Sequence, residues 1–141
     1  MIREGRAYVG GEAAGVALAL DAPLSFWGGV EAETGHIIDA HHPQRGASVA
    51  GRILVMPGAR GSSSASSVLA EAIRLGTAPR AIVLASPDPI LVVGALVARS
   101  LYGLTCPIIV CPIDGIRTGA KLRIACAEGS QARLFVRREF A

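Results

Sequence analysis

Five serines crowd one short stretch of the chain, Ser62-Ser63-Ser64-Ala65-Ser66-Ser67, directly after Pro57-Gly58-Ala59-Arg60-Gly61. Gly58 and Gly61 give this segment access to tight, positive-φ paths. The aliphatic run Ile53-Leu54-Val55-Met56 leads into it, and Val68, Leu69, Ala72 and Ile73 follow it at helical spacing. A loop passing from a strand to a helix start presents hydroxyls where backbone N–H groups and the helix dipole favour negative charge, and Arg60 adds a fixed positive charge. A serine hydroxyl is ordinarily too weak an acid to serve as a base, but an alkoxide stabilised in such a place can abstract a proton from carbon. The same residues also read as a helix N-cap inside a polar loop. Composition leaves both readings open.

Other chemistries fail on spacing. Gly58-Ala59-Arg60-Gly61-Ser62 lacks the spacing and the lysine of a P-loop. Gly10-Gly11-Glu12-Ala13-Ala14-Gly15 has its first two glycines adjacent, unlike a dinucleotide fingerprint. Ser62 does not sit in Gly-x-Ser-x-Gly, and His36, His41 and His42 all precede it. Asp39 and His41 would share a strand face with His42 opposite, two ligands without a third, so no metal ligand is assigned. Asp39 with Pro43 reads better as a fixed turn. Cys106 and Cys111 flank a short apolar run and would stand about 16 Å apart if it is extended, too far for one metal. With Cys126 they make an odd number, which argues against a disulfide framework. They read as small buried thiols.

The elements that must hold the serine loop follow from pattern. Val16 to Leu20 reads as a strand, then comes the apolar loop Ala22-Pro23-Leu24-Ser25-Phe26-Trp27-Gly28-Gly29. His36-Ile37-Ile38-Asp39 suggests a short strand, and Arg52 to Met56 an aliphatic one. A helix is expected over Ser66 to Leu75 with Gly76 as its stop. Ala81 to Ala85 is a strand. A second helix runs from Ser86-Pro87-Asp88-Pro89, with Ser86 or Asp88 as cap, to about Leu101, ended by Gly103. Pro107 to Val110 is another strand, and Lys121–Ala127 with Ala132–Arg137 forms a hairpin around Glu128-Gly129-Ser130. On it Leu122, Ile124 and Cys126 face one way, Lys121 and Arg123 the other. The order predicts a single α/β domain over residues 1–141, β-rich in its first half, with two main helices.

Composition narrows the setting. Hydrophobic residues make up 51% of 141 and charged ones 18%, which excludes disorder. The longest apolar run, Ile90 to Ala98, is broken by Gly94 and closes at Arg99, so no membrane span is expected. Met1-Ile2-Arg3-Glu4-Gly5-Arg6 lacks the apolar core of a signal peptide, which makes the cytoplasm the expected compartment. The net charge of +3 is local: from Arg117 onward six bases meet two acids, whereas residues 1–116 carry eight bases and nine acids. Only Phe135 and Phe140 could interleave with that charge. The basic end therefore reads as a solvated strand face or a partner contact, not a nucleic-acid surface.

Taken together, these motifs resemble a known family. Pro23-Leu24-Ser25-Phe26-Trp27-Gly28-Gly29-Val30, Thr34-Gly35-His36-Ile37-Ile38-Asp39 with His42-Pro43, and Gly51-Arg52-Ile53-Leu54-Val55-Met56-Pro57 running into Gly61-Ser62-Ser63-Ser64 look like the swivel-domain subunit of aconitase X. So do Val68-Leu69-Ala70-Glu71-Ala72-Ile73-Arg74, Ala78-Pro79-Arg80-Ala81-Ile82 and Gly94-Ala95-Leu96-Val97-Ala98, and the likeness covers roughly residues 5 to 125. The resemblance implies a swivelling β/β/α domain paired with a large catalytic subunit, which would carry the cysteines of an iron–sulfur centre, while this chain alone binds no cofactor and is inactive. It implies dehydration of a small hydroxy acid.

By comparison with the aconitase loop Gly-Ser-Ser-Arg, the resemblance makes Ser62 the proton acceptor. Gly61, Ser63 and Ser64 would orient substrate or stabilise the alkoxide. Ser64 stands where that loop has its substrate-binding arginine, and Arg60 offers a replacement charge from the other side. Two substrate classes belong to the family: cis-3-hydroxy-L-proline in the bacterial type and a phosphorylated mevalonate in the archaeal type. The loop, Ser-Phe-Trp-Gly-Gly and Arg-Leu-Gly-Thr-Ala-Pro look closer to the bacterial one. Trp27 is expected at the partner interface, in the substrate pocket or anchored in the chain's own core. A stand-alone scaffold that binds small anions through the same loop is the rival from another class.

Overall fold

The computed structural model describes residues 1–59 and 62–137. Arg60 and Gly61, both expected to bind substrate, lie outside the described residues. The order is β1 (Ile2–Val9), β2 (Gly11–Ala19), β3 (Ile53–Met56), α1 (Ala65–Leu75), β4 (Ala81–Leu84), α2 (Pro89–Tyr102), β5 (Ile108–Val110), β6 (Lys121–Cys126) and β7 (Gln131–Arg137). The strands close into a barrel in the order β1-β5-β4-β3-β2-β6-β7. Closure is made by β7 returning to β1, with Ile2 opposite Phe135 and Arg6 opposite Gln131.

The expected α/β class is met only in part. Two strand-helix-strand units, β3-α1-β4 and β4-α2-β5, sit within a parallel group β2–β5. Around it β1, β6 and β7 pair antiparallel and make the domain mostly β. Three strands precede α1 and four follow it, so strand content is not concentrated in the first half. The short strand expected at His36–Asp39 reduces to isolated bridges, Val30 to Ile37 and His36 to Ser48.

Alternation sorts the core into two layers. Ile53 and Val55, Ala81 and Val83, Leu122 and Ile124, and Leu134 and Val136 point into the barrel with Ala7, Ala17, Ile109 and Ala132. Leu54 and Met56, and Ile82 and Leu84, face outward and pack with Leu69, Ile73, Leu91 and Ala95 of the helices. Alanines among the inward positions suit a narrow barrel, whose interior mixes small and large side chains. At Gly5, β1 passes tightly against β5: a methyl group there would lie 1.9 Å from the Val110 carbonyl oxygen.

Both helices stop where their sequences place a glycine, and α2 starts at its expected cap. Gly76, at φ 79°, ends α1 with its N–H on the Ile73 carbonyl. Asp88 caps α2, its Oδ1 accepting the N–H groups of Ile90 (2.8 Å) and Leu91 (3.2 Å), and Gly103 ends it. Among the described residues no helix is long and apolar enough to cross a membrane.

The parallel strands fix where a site can form. The Leu20 N–H bonds the Val55 carbonyl, Ala85 bonds Met56, and Cys111 bonds Leu84. The chain segments leaving β2, β3, β4 and β5 therefore emerge together at one rim, the carboxyl edge where parallel α/β sheets take their ligands.

Candidate functional site

The serine loop leaves β3 at this rim. Ser62, Ser63 and Ser64 are all exposed, so the Ser62 oxygen is not walled into the interior. Ser62 Oγ accepts the backbone N–H of Ser64 at 3.1 Å. A hydroxyl oxygen that already accepts an N–H is biased toward carrying negative charge, because the bond strengthens as charge develops.

The helix start departs from expectation in one respect. Its amides are not all free: Ala65, Ser66 and Ser67 donate to the carbonyls of Ser62, Ser63 and Ser64 at 3.0–3.2 Å. Ser64 already has helical dihedrals, φ −63° and ψ −15°, and its side chain makes no capping bond. Ser66 Oγ donates to the Ser63 carbonyl at 2.8 Å. Of the two readings the sequence allowed, a capping role is thus not what the Ser64 hydroxyl performs. The amide serving Ser62 is that of Ser64, two residues on.

The loop after β2 lies alongside. Leu24 pairs with Ala59 in a parallel bridge, and Leu24 and Phe26 are fully buried. Trp27 is 58% exposed, which removes the expectation that it anchors in the chain's own core; Phe26 does that. His42, only 6% exposed, ties the base of this loop. Its Nδ1 accepts the Gln44 N–H at 3.0 Å, so Nε2 carries the hydrogen donated to the Ala22 carbonyl at 3.1 Å. Gln44 adds Nε2 to Asp21 Oδ2 at 2.6 Å. Asp39 Oδ1 accepts the His41 N–H at 2.9 Å, the turn its sequence suggested.

One contact at this rim was not foreseen from the sequence. Thr118 Oγ1 accepts the Ala19 N–H at 3.0 Å, pinning the loop before β6 to the end of β2 and leaving Arg117 exposed there. No local pattern announces this bond, because it spans 99 residues.

None of the three cysteines is in a disulfide. Burial pushes the Cys106 thiol up to about 12. Cys111 is pushed to about 11, again by burial, partly opposed by Arg3. Cys126, half-buried, is also raised by burial. Among the described residues no three His, Cys, Asp or Glu side chains gather into a metal-holding group.

A small closed barrel flanked by two helices, with a hydroxyl-bearing loop on its carboxyl rim, has the architecture of a swivel-type domain. The chain belongs to the aconitase X swivel domain family, whose model matches residues 2–132. It is 50% identical over 103 residues to a cis-3-hydroxy-L-proline dehydratase of Pseudomonas aeruginosa, covering 73% of this chain and 18% of that protein. It is 38% identical over 127 residues to the phosphomevalonate dehydratase small subunit of Thermococcus gammatolerans, covering 89% and 92%. The crystal structure of Thermococcus kodakaraensis aconitase X in its holo-form superposes with a TM-score of 0.85 at 33% identity, over 96% of this chain and 98% of that one. The chain thus spans under a fifth of the Pseudomonas dehydratase but nearly all of the archaeal small subunit.

Proposed function

We propose that the chain is the small subunit of a hydro-lyase that converts cis-3-hydroxy-L-proline to Δ1-pyrroline-2-carboxylate, with Ser62 as proton acceptor. The observation that carries this reading is the exposed Ser62 Oγ, held by the Ser64 amide on the barrel's carboxyl rim. The deprotonated Ser62 oxygen takes the proton from C2 of the substrate, the C3–O bond breaks as its electrons leave with the hydroxyl, the proton gained by Ser62 passes to that hydroxide to make water and restore the alkoxide, and the enamine tautomerises to the imine by moving its N–H proton to C3. Ser63 and Ser64, exposed on the same turn, orient the substrate with Gly61, and Arg60 supplies charge for its carboxylate. A large catalytic subunit completes the site and holds the iron–sulfur centre, which would act as a Lewis acid toward the leaving hydroxyl.

The higher identity to the Pseudomonas enzyme supports hydroxyproline as substrate. The near-complete coverage of the archaeal small subunit supports a second reading, mevalonate 5-phosphate, with the same serine at work. Co-expression with the large subunit and assay on hydroxyproline epimers and mevalonate 5-phosphate separates the two. Hydroxyproline turnover by the complex and none by the isolated chain is the expected result. Tight binding of phosphate or carboxylate by the isolated chain, with no activity in any complex, would instead favour the anion-binding scaffold.

A further inference from the structure

We propose that Trp27 is the anchor by which the Ser62 rim docks onto the catalytic subunit, an inference that rests on the functional reading above. Leu24 and Ala59 pair in parallel, so the two loops run on in the same direction from their bridge. Trp27 lies three positions beyond Leu24, and Ser62 three beyond Ala59. Neither can be more than about 11 Å of chain from the bridge. Trp27 and Ser62 thus belong to neighbouring loops of one rim, and a subunit that closes over that rim meets both loops.

The chain displays Trp27 rather than merely leaving it uncovered. Its neighbour Phe26 is fully buried and fixes the loop, and Ser25 Oγ donates to the Trp27 carbonyl at 3.0 Å. The Val30 N–H bonds the Phe26 carbonyl, and the Ile38 N–H bonds the Gly29 carbonyl at 2.9 Å. Ile38, whose N–H makes that bond, is itself 45% exposed. The brace from His42 and Gln44 to Ala22 and Asp21 holds the base. A large aromatic on a braced loop loses little conformational freedom on burial, and tryptophan is among the residues that dominate binding energy at protein interfaces. The occupant is the catalytic subunit, through an apolar socket bordering its half of the active site.

Trp27 is the chain's sole tryptophan, so 5-fluorotryptophan labelling gives a single fluorine resonance. On titration with unlabelled catalytic subunit that resonance should shift, and its solvent isotope effect should vanish. Trp27→Ala should weaken assembly about 30-fold or more, Trp27→Phe should restore part of it, and KM for hydroxyproline at saturating partner should stay unchanged. Assembly unaffected by Trp27→Ala, or a raised KM with assembly intact, overturns the proposal; the latter would make Trp27 a substrate contact. An active wild-type complex whose fluorine stays solvent-exposed removes the anchor and leaves the functional reading standing. A complex that buries the fluorine but dehydrates neither substrate removes the functional reading.

Discussion

Gly94 of α2 lies against the backbone of Ser66 in α1: a methyl group at position 94 would sit 2.6 Å from the Ser66 carbonyl oxygen and 3.1 Å from its Cα. Ser66 is in the first turn after the serine loop, so this contact sets how α1 delivers that loop to the rim. Gly94→Ala gains about 1 kcal/mol of helix propensity but forces two backbones apart, and overpacking costs about 1–3 kcal/mol. The backbone cannot yield as a flexible side chain would, so the clash wins. Urea denaturation should show a net loss of up to about 2 kcal/mol, and turnover in the complex should fall. A stabilised variant would mean the helices are not in contact there.

His42 links two loop segments 20 residues apart. Replacing it with alanine strands the Gln44 amide and the Ala22 carbonyl, and a buried polar group left without its partner costs about 1–3 kcal/mol. His42→Ala should lower stability by that amount and loosen the segment carrying Trp27, read as faster hydrogen exchange at Phe26–Val30. Exchange confined to residues 40–45 would show that the brace does not reach the Trp27 loop.

Folding holds Cys106 and Cys111 above the ordinary thiol value of 9.0, at about 12 and about 11. An unfolded chain releases these protons more readily than the folded one. The stability they lend is complete below pH 9 and is lost as pH climbs through 11 and 12. Unfolding free energy should fall steeply over that window, and Cys106→Ala should flatten the fall. At pH 8 a thiol reagent should modify Cys126 first and reach the other two only on unfolding. Rapid labelling of Cys106 in the native chain would contradict its burial.

Much of this architecture was legible because its cues are local. Gly76 and Gly103 as stops, Asp88 before Pro89 as a cap, and the Lys121–Arg137 hairpin each declare themselves within a few residues. Barrel closure is not local. β1 carries Arg3, Glu4 and Arg6 with only Ala7 and Val9 buried, and β2 begins Gly-Glu-Ala-Ala-Gly. Neither β1 nor the first half of β2 has the β-branched alternation of a strand; only the second half of β2, from Val16, was expected as one. They become strands because β7, β5 and β6 offer them partners across the barrel, and Gly5 is needed where β1 passes Val110. At the site, the serine cluster was visible as a pattern of residue types. The Ser62–Ser64 bond, the Leu24–Ala59 pairing and the Thr118 bond to Ala19 were not, since each depends on the path of the loops after folding.

The most direct test of Ser62 as the proton acceptor is the turnover of a Ser62→Ala complex reconstituted with the large subunit. Removing a general base typically costs 10²–10⁴-fold in rate. Hydroxyproline dehydration should therefore fall by roughly three orders of magnitude, with assembly and substrate binding retained. Turnover within about tenfold of wild type, in a complex shown to assemble, would place the base elsewhere and leave the exposed hydroxyl without a catalytic role.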